Sequence, residues 1–318
     1  MKRRLFCIGI ALLLLLGCRS EPAQGAHSAN GFVCDTVVTI TAYAPQETVD
    51  AALRVSMDYE AVFSKTVKDS DIWRLNHADG KPVEVDPETV SLLRLAIAVS
   101  EQSGGAFDVT IAPVSNLWDF TAETPSLPDP DELKAAAARV DYRNILIDGN
   151  VVTLKNGAEI DLGGIAKGYI ADRVAAYLRE NGVTSACINM GGNIVTVGTK
   201  PDGSKWTIGI RDPNGTAAQS EEVLSVSDAA IVTSGNYERF FILDGVRYHH
   251  ILDPKTGMPV QNGIASVTVI GVESALCDAL STACFLLGEE GSRALLDRYG
   301  VKAIFLCTDG TRKQYPEQ

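Results

Sequence analysis

Apolar positions along the chain follow two rhythms, a period near two that marks strands and one near 3.6 that marks helices. Phe32–Tyr43 is rich in Val, Thr and Ile and reads as the first strand. Val49, Leu53 and Met57 recur at helical spacing and predict a helix over Thr48–Phe63. Pro82–Val85 is a short strand, after which Asp86-Pro87-Glu88 opens a helix with a cap, a proline at the first position and an early acid. That helix runs to Gly104-Gly105, and Ala106–Ile111 reads as a strand leaving those glycines. Asp129-Pro130-Asp131 caps a further helix through about Arg139, and a hairpin turns at Asp148-Gly149 between Ile145–Ile147 and Val151–Leu154. Ile160–Leu178 then passes from a strand end through Gly163-Gly164 into an amphipathic helix. A buried strand, Ala186–Met190, follows it. The second half is mostly strands: Trp206–Ile210, Val223–Val226, Ala230–Thr233, Phe240–Leu243, Val246–Ile251 and Ile264–Ile270. Helices over Ser274–Leu287 and Glu290–Tyr299 and a strand over Lys302–Cys307 close the chain. Strands in runs with helices packed among them predict an α+β fold of mixed and antiparallel sheets.

The first residues change the picture of where the protein works. Lys2, Arg3 and Arg4 precede an apolar run, Leu5–Leu16, too short to span a bilayer and ending Leu15-Leu16-Gly17-Cys18. This layout predicts a lipoprotein signal over residues 1–17, with Cys18 as the lipidated first residue. Residues 18–31 would be a polar tether and 32–318 one folded domain. Two or more acyl chains would hold such a protein stably at a membrane surface, outside the cytoplasm of a bacterium. The net charge of −12 and the lack of any Lys/Arg cluster argue against nucleic-acid binding, which needs a basic face. Beyond Cys7 and Cys18, five scattered cysteines remain, without metal-ligand spacing, and read as buried small hydrophobes with at most one disulfide.

Candidate chemistry gathers around Ile160–Leu178. A glycine turn feeding a helix N-terminus directs N–H groups and a positive dipole end at one place, a plausible phosphate cradle. Asp161 in the same loop fits poorly with a bare anion and implies a nearby cation. Gly163 and Gly168 have P-loop spacing, but Tyr169-Ile170 follows where Lys and Ser/Thr are needed. On the helix Ser274–Leu287, Asp278, Ser281 and Thr282 share one face of an otherwise apolar stretch. A carboxylate there is either a satisfied structural group or part of an all-oxygen site for a hard cation such as Mg²⁺. Two like charges about 4 Å apart repel by about 4 kcal/mol at an effective dielectric of about 20, so Asp161 and Asp278 would exclude a diphosphate unless a metal lay between. His249 and His250 stand at a strand end before a proline turn, with structural and catalytic roles equally open.

Six segments, in this order, resemble the FAD:protein FMN transferases, the ApbE-type flavin transferases. They are Gly105–Thr110 with Pro113 and Trp118, Asp161–Gly168, Ile188–Asn193, Ser234–Arg239, His250–Gly257 and Asp278–Thr282. The resemblance implies a ligand cleft between two α/β subdomains. It also implies Mg²⁺-dependent transfer of FMN from FAD to a Ser/Thr hydroxyl of a target flavoprotein, with release of AMP. Carried over by position, Ala106, Phe107, Asp108, Asp161, Lys167 and Ile251 would contact FAD. Cys34 and Thr66 occupy positions at the flavin end, where the family commonly has Met and an aromatic residue. The carbonyl of Gly164 with Asp278 and Thr282 would hold the metal, and Ser281 stands where the family often has an acid. His250 is the candidate for proton handling, with Asp278 its competitor. Hydrolysis of FAD to FMN and AMP, and simple FAD binding at the membrane, are the alternatives.

Overall fold

A computed structural model describes residues 25–213, 215 and 220–317. The candidate signal and Cys18 lie outside them. Strands β1 (His27–Val33) and β2 (Thr36–Ala42) form an antiparallel hairpin joined at Cys34-Asp35. This corrects two sequence expectations. Phe32–Tyr43 is not one strand, because Cys34 and Asp35 both adopt left-handed backbone (φ 52° and 55°), the geometry of a two-residue hairpin turn. Residues 27–31 are not tether but strand, although their side chains are small and polar. Backbone pairing from His27↔Ala42 to Val33↔Thr36 carries them, with Ala29 and Val33 turned inward.

The hairpin is one edge of an eight-stranded sheet of order β1-β2-β6-β7-β10-β13-β14-β15. Its further strands are β6 (Ala186–Met190), β7 (Asn193–Val197), β10 (Ala230–Gly235), β13 (Ile264–Gly271), β14 (Lys302–Cys307) and β15 (Arg312–Tyr315), and every pairing is antiparallel. Helices α1 (Gln46–Phe63), α6 (Ala166–Glu180) and α7 (Ser274–Tyr299) pack against its strands, and α6 also packs on α1 and α7. Ile170, Leu178, Ile188, Phe285 and Phe305 are fully buried in the core between them. The span called α7 is two helical halves end to end, since Gly288 at φ 75°, ψ 174° interrupts it where the sequence places a break.

A second region holds α2 (Asp71–Asn76), α3 (Pro87–Gln102), α4 (Ala112–Ser115), α5 (Pro130–Ala137) and a three-stranded sheet of β3 (Val83–Glu84), β5 (Val151–Leu154) and β4 (Ile145–Asp148). The expected caps are present: Asp86 accepts from Glu88 N and Asp129 from Asp131 N and Glu132 N. Ala106–Ile111 is a turn rather than a strand, with only Ile111 bridging Glu159. The reason is Asp108, whose carboxylate takes Thr110 N at 2.8 Å and Tyr142 N at 2.8 Å and folds the backbone around itself. Two hairpins, β8 (Trp206–Arg211) with β9 (Ser220–Val226) and β11 (Phe240–Leu243) with β12 (Val246–His249), complete the strands. All five described cysteines are free. Among the described residues no helix is long and apolar enough to cross a membrane.

Candidate active site

The loop entering α6 is fixed from below. Asp161 N donates to Val109 O at 2.8 Å, and Asn76 clasps Ile160 through both backbone groups. Asp161 Oδ1 accepts from Gly163 N at 2.9 Å, while Oδ2 meets Lys65 Nζ and Ser115 Oγ, each at 2.8 Å. Lys65 also donates to Asn116 Oδ1 at 2.8 Å. A lysine of this chain thus supplies a cation beside Asp161. Burial alone would raise the Asp161 pKa, but Lys65 and the N–H and O–H donors hold it below the usual carboxylate range. Lys65 gave no signal in the sequence, because its partner lies 96 residues away.

Asp278 is arranged in the opposite way. It is 3 % exposed and accepts from Gly168 N at 2.9 Å. Lys167 stands nearby without forming an ion pair with it, its Nζ donating instead to Gly163 O at 3.0 Å. The Asn193 amide, 1 % exposed, stands beside the same carboxylate, though Nδ2 reaches no acceptor in full hydrogen-bond geometry. Burial raises the Asp278 pKa, and Lys167, the Gly168 amide and Asn193 offset this only in part. The Gly168 amide is thus directed at Asp278 and is not available to a phosphate. This corrects the simple cradle reading of the helix start.

Gly164 is close to both walls. A Cβ there would stand 3.2 Å from the Phe107 ring and 3.4 Å from Thr282 Oγ1. Thr282 Oγ1 is 3.2 Å from Ser234 Oγ. The structure therefore brings Gly164, Thr282, Asp278 and Lys167 together. Ser281 is drawn away from them: it is fully buried, donates to Asp278 O at 2.8 Å and lies 2.7 Å from Ser234 Oγ. Its hydroxyl braces α7 against β10. Among the described residues no three His, Cys, Asp or Glu side chains cluster as a metal site. The donor set that fits Mg²⁺ is one buried carboxylate, a hydroxyl and backbone oxygen, the hard oxygen ligands that ion prefers alongside substrate phosphate.

The remaining candidates divide between structure and rim. Asp108 turns its carboxylate into the protein, as described, so any ligand contact there falls to the backbone of Ala106 and Phe107 rather than to its side chain. Ile251 is 4 % exposed. Thr66 is exposed in the loop after α1, its hydroxyl 3.0 Å from Ser64 Oγ. Cys34 sits in the hairpin turn with its N–H donating to Glu60 Oε1 at 2.7 Å. Burial and then Glu60 push its thiol up to about 12, so it is no nucleophile.

His250 Nδ1 lies 3.3 Å from Arg239 O. A carbonyl can only accept, so Nδ1 carries the proton and Nε2 keeps its lone pair. Crowding by the surrounding wall, then the Lys167 charge, lower the His250 pKa and keep the ring neutral, even though one side of it is open to solvent. Its neighbour His249 is structural, 2 % exposed, with Nε2 3.0 Å from Val260 O. Trp118 ties the following turn to α4, its Nε1 donating to Gly257 O at 3.0 Å.

One cavity, of about 410 Å³, is lined by Leu75, Asp79, Arg139 and Lys155, away from this chemistry. A second, of about 300 Å³, is lined by Thr36, Asn189, Gly192, Arg211 and Tyr237 and so takes in the turn between β6 and β7. Neither includes Asp278 or Lys167, and the hydrogen bonds above, not cavity size, mark the site.

Comparison with known proteins follows the same residues. The ApbE family profile matches residues 34–305. The FAD:protein FMN transferase of Treponema pallidum is 37 % identical, over 95 % of this chain and 91 % of its own. That of Vibrio cholerae is 34 % identical, over 96 % and 94 %. Among solved structures, the ApbE protein of Thermotoga maritima superposes with a TM-score of 0.85 at 35 % identity, covering 92 % of this chain and 97 % of that one. The flavin transferase ApbE of Vibrio cholerae gives 0.82 at 31 %, with the same coverage. With the profile spanning most of the described residues and relatives this similar along nearly their whole length, the chain belongs to the ApbE family.

Proposed function

We propose that the protein is an FAD:protein FMN transferase that uses Mg²⁺ to move FMN from FAD onto a Ser or Thr hydroxyl of a target flavoprotein. Support for the activity comes from relatives of that name matching over more than nine-tenths of the chain. The observation that carries the chemistry is Asp278: a buried carboxylate that forms no ion pair with a lysine or arginine among the described residues, beside Thr282, Gly164 and Lys167. A group so placed is costly until a cation joins it.

Asp278, Thr282 and backbone oxygen near Gly164 would hold Mg²⁺, which when bound supplies charge neutralisation for the diphosphate of FAD. Lys167 adds a fixed positive charge on the same side. Lys65 neutralises Asp161, so that this carboxylate no longer repels the diphosphate. His250, neutral and with Nε2 free, takes the proton of the acceptor hydroxyl as its oxygen bonds to the FMN phosphorus. The bond from that phosphorus to the bridging oxygen breaks, and AMP leaves with the electron pair. Positioning and charge stabilisation supply most of the rate in such transfers. The same reading places the protein on the outer side of a bacterial membrane through Cys18. A Cys18→Ser chain that stayed membrane-bound would remove that part.

The test is incubation with FAD, Mg²⁺ and a flavoprotein domain bearing an acceptor Ser/Thr. Flavin fluorescence covalently on the acceptor, abolished by EDTA, is the expected result. Release of free FMN with no labelled acceptor would replace transferase by hydrolase, and transfer surviving EDTA would remove the metal.

A further inference from the structure

Helix α7 begins without a cap of its own. Its N-cap residue, Glu273, makes no side-chain hydrogen bond to the first turn. The open amides are instead taken by a residue of another helix: Asp172 of α6 accepts from Ser274 N through Oδ1 at 3.0 Å and from Ala275 N through Oδ2 at 2.9 Å. One turn earlier on α6, the exchange runs in reverse, with Gly168 N donating to Asp278 Oδ2 of α7 at 2.9 Å. Each helix thus gives a carboxylate to the backbone amides of the other. Between the two contacts the helices approach so closely that a Cβ on Gly168 would stand 2.3 Å from Ser274 O. Sliding or rotation of α7 along α6 would break all three hydrogen bonds and drive Ser274 into α6.

From this geometry we infer that Asp172 is a positioning residue for the reaction: it fixes the register of α7 against α6, and thereby sets Asp278 and Thr282 beside Lys167 and Gly164. Asp172 itself does not touch the reacting groups, and none of the six segments that carry the family resemblance contains it. A carboxylate suits the task because its two oxygens take two successive amides at once and its charge faces the positive end of the α7 dipole. Burial is the main cause of a pKa pushed up to about 6, against which the two amides act in part. The fold therefore bears a cost at this position.

The inference rests on the proposed metal site, and two readouts keep the two apart. Mn²⁺ binding is measured by electron paramagnetic resonance on the full chain for wild type, Asp172→Asn, Asp172→Ala and Asp129→Ala. The last removes the cap of α5 and serves as a control for lost stability. Amide hydrogen exchange is followed in the same four proteins over residues 166–170 and 274–282. Asp172→Ala is expected to bind Mn²⁺ about 10-fold more weakly, the low end of what outer partners of metal ligands contribute. Asp172→Asn, which keeps one acceptor oxygen, should fall between, and Asp129→Ala should match wild type. Exchange should quicken in both segments in Asp172→Ala, including at Gly168, which Asp172 does not contact. Wild-type affinity in Asp172→Ala, or an equal loss in Asp129→Ala, overturns the inference. If wild type binds FAD but no Mn²⁺, the metal site falls. Exchange then decides alone: faster exchange confined to 274–277 would mean an ordinary cap.

Discussion

The two carboxylates beside the glycine loop, Asp161 and Asp278, are the same side chain with pKa values shifted in opposite directions. Asp161 has a lysine, a hydroxyl and an amide about it and titrates below the usual range despite burial. Asp278 is buried with one amide, a nearby asparagine and a lysine that is bonded elsewhere, and titrates above it. The first is complete as folded. The second lacks such a partner among the described residues, and on the proposed function that difference separates a group that shapes the site from one that takes a metal.

The linkage signs follow. Asp161, its pKa lowered by folding, contributes stability that is present above the unfolded value of about 3.9 and lost as pH falls through the folded one. Asp278, its pKa raised, favours the fold below about 3.9, and that contribution is lost as pH rises through its folded pKa. The sharpest way to break the comparison is Asp278→Asn, which keeps an acceptor for Gly168 N and removes the charge. Metal affinity should fall by more than about 100-fold, beyond the range of outer-partner losses. Metal-free stability at pH 7 should hold or rise, and its advantage over wild type should shrink toward pH 4. A destabilised variant, with melting tested without metal, would show that Asp278 is compensated after all.

Next in size is the acid response of His249, whose pKa burial lowers to about 4, with Arg247 lowering it further and the Val260 carbonyl working against this. The unfolded chain binds the proton first, so stability present above about pH 6.5 is lost as pH falls toward 4, by about 3 kcal/mol at most. Chemical denaturation of His249→Gln across that window should give a flatter profile than wild type. An identical slope would assign the acid sensitivity elsewhere. The smallest effect is Lys65→Met, which leaves Asp161 unpaired. The two side chains are 27 % and 20 % exposed, so about 1–2 kcal/mol of stability is expected to go, less than a fully buried pair would lose. The FAD KM should rise as well. Unchanged stability and KM together would make the Lys65 pair a surface contact only.

Helix α6 with Lys167, the apolar α7 with its polar face and the caps at Asp86 and Asp129 could be read from local pattern, because each depends on neighbours within a few residues. The eight-strand order could not, nor could the partners Lys65, Asn193 and Asp172, which meet the site through tertiary packing. Ala106–Ile111 looked like a strand because its composition suits one, and the single carboxylate of Asp108 overrode that composition. Residues 27–31 looked like tether for the converse reason: nothing in His-Ser-Ala-Asn-Gly favours a strand except the partner strand that follows. Ser281 shares a helix face with Asp278 and Thr282, yet β10 claims its hydroxyl. Spacing along a helix shows which residues are neighbours, not what lies across from them.

The break at Gly288 divides α7 into two separately held halves. Its backbone lies in a region open essentially to glycine alone. Beyond it, Glu289 is bound to Lys313 and Asp297 to the Tyr315 hydroxyl, both on β15, so the second half of α7 is moored to the sheet edge while the first is moored to α6. An added residue in an unbroken helix turns everything past it by about 100°. Here each half has moorings of its own, so a change in the distal half is expected to leave the half that carries Asp278 and Thr282 in place.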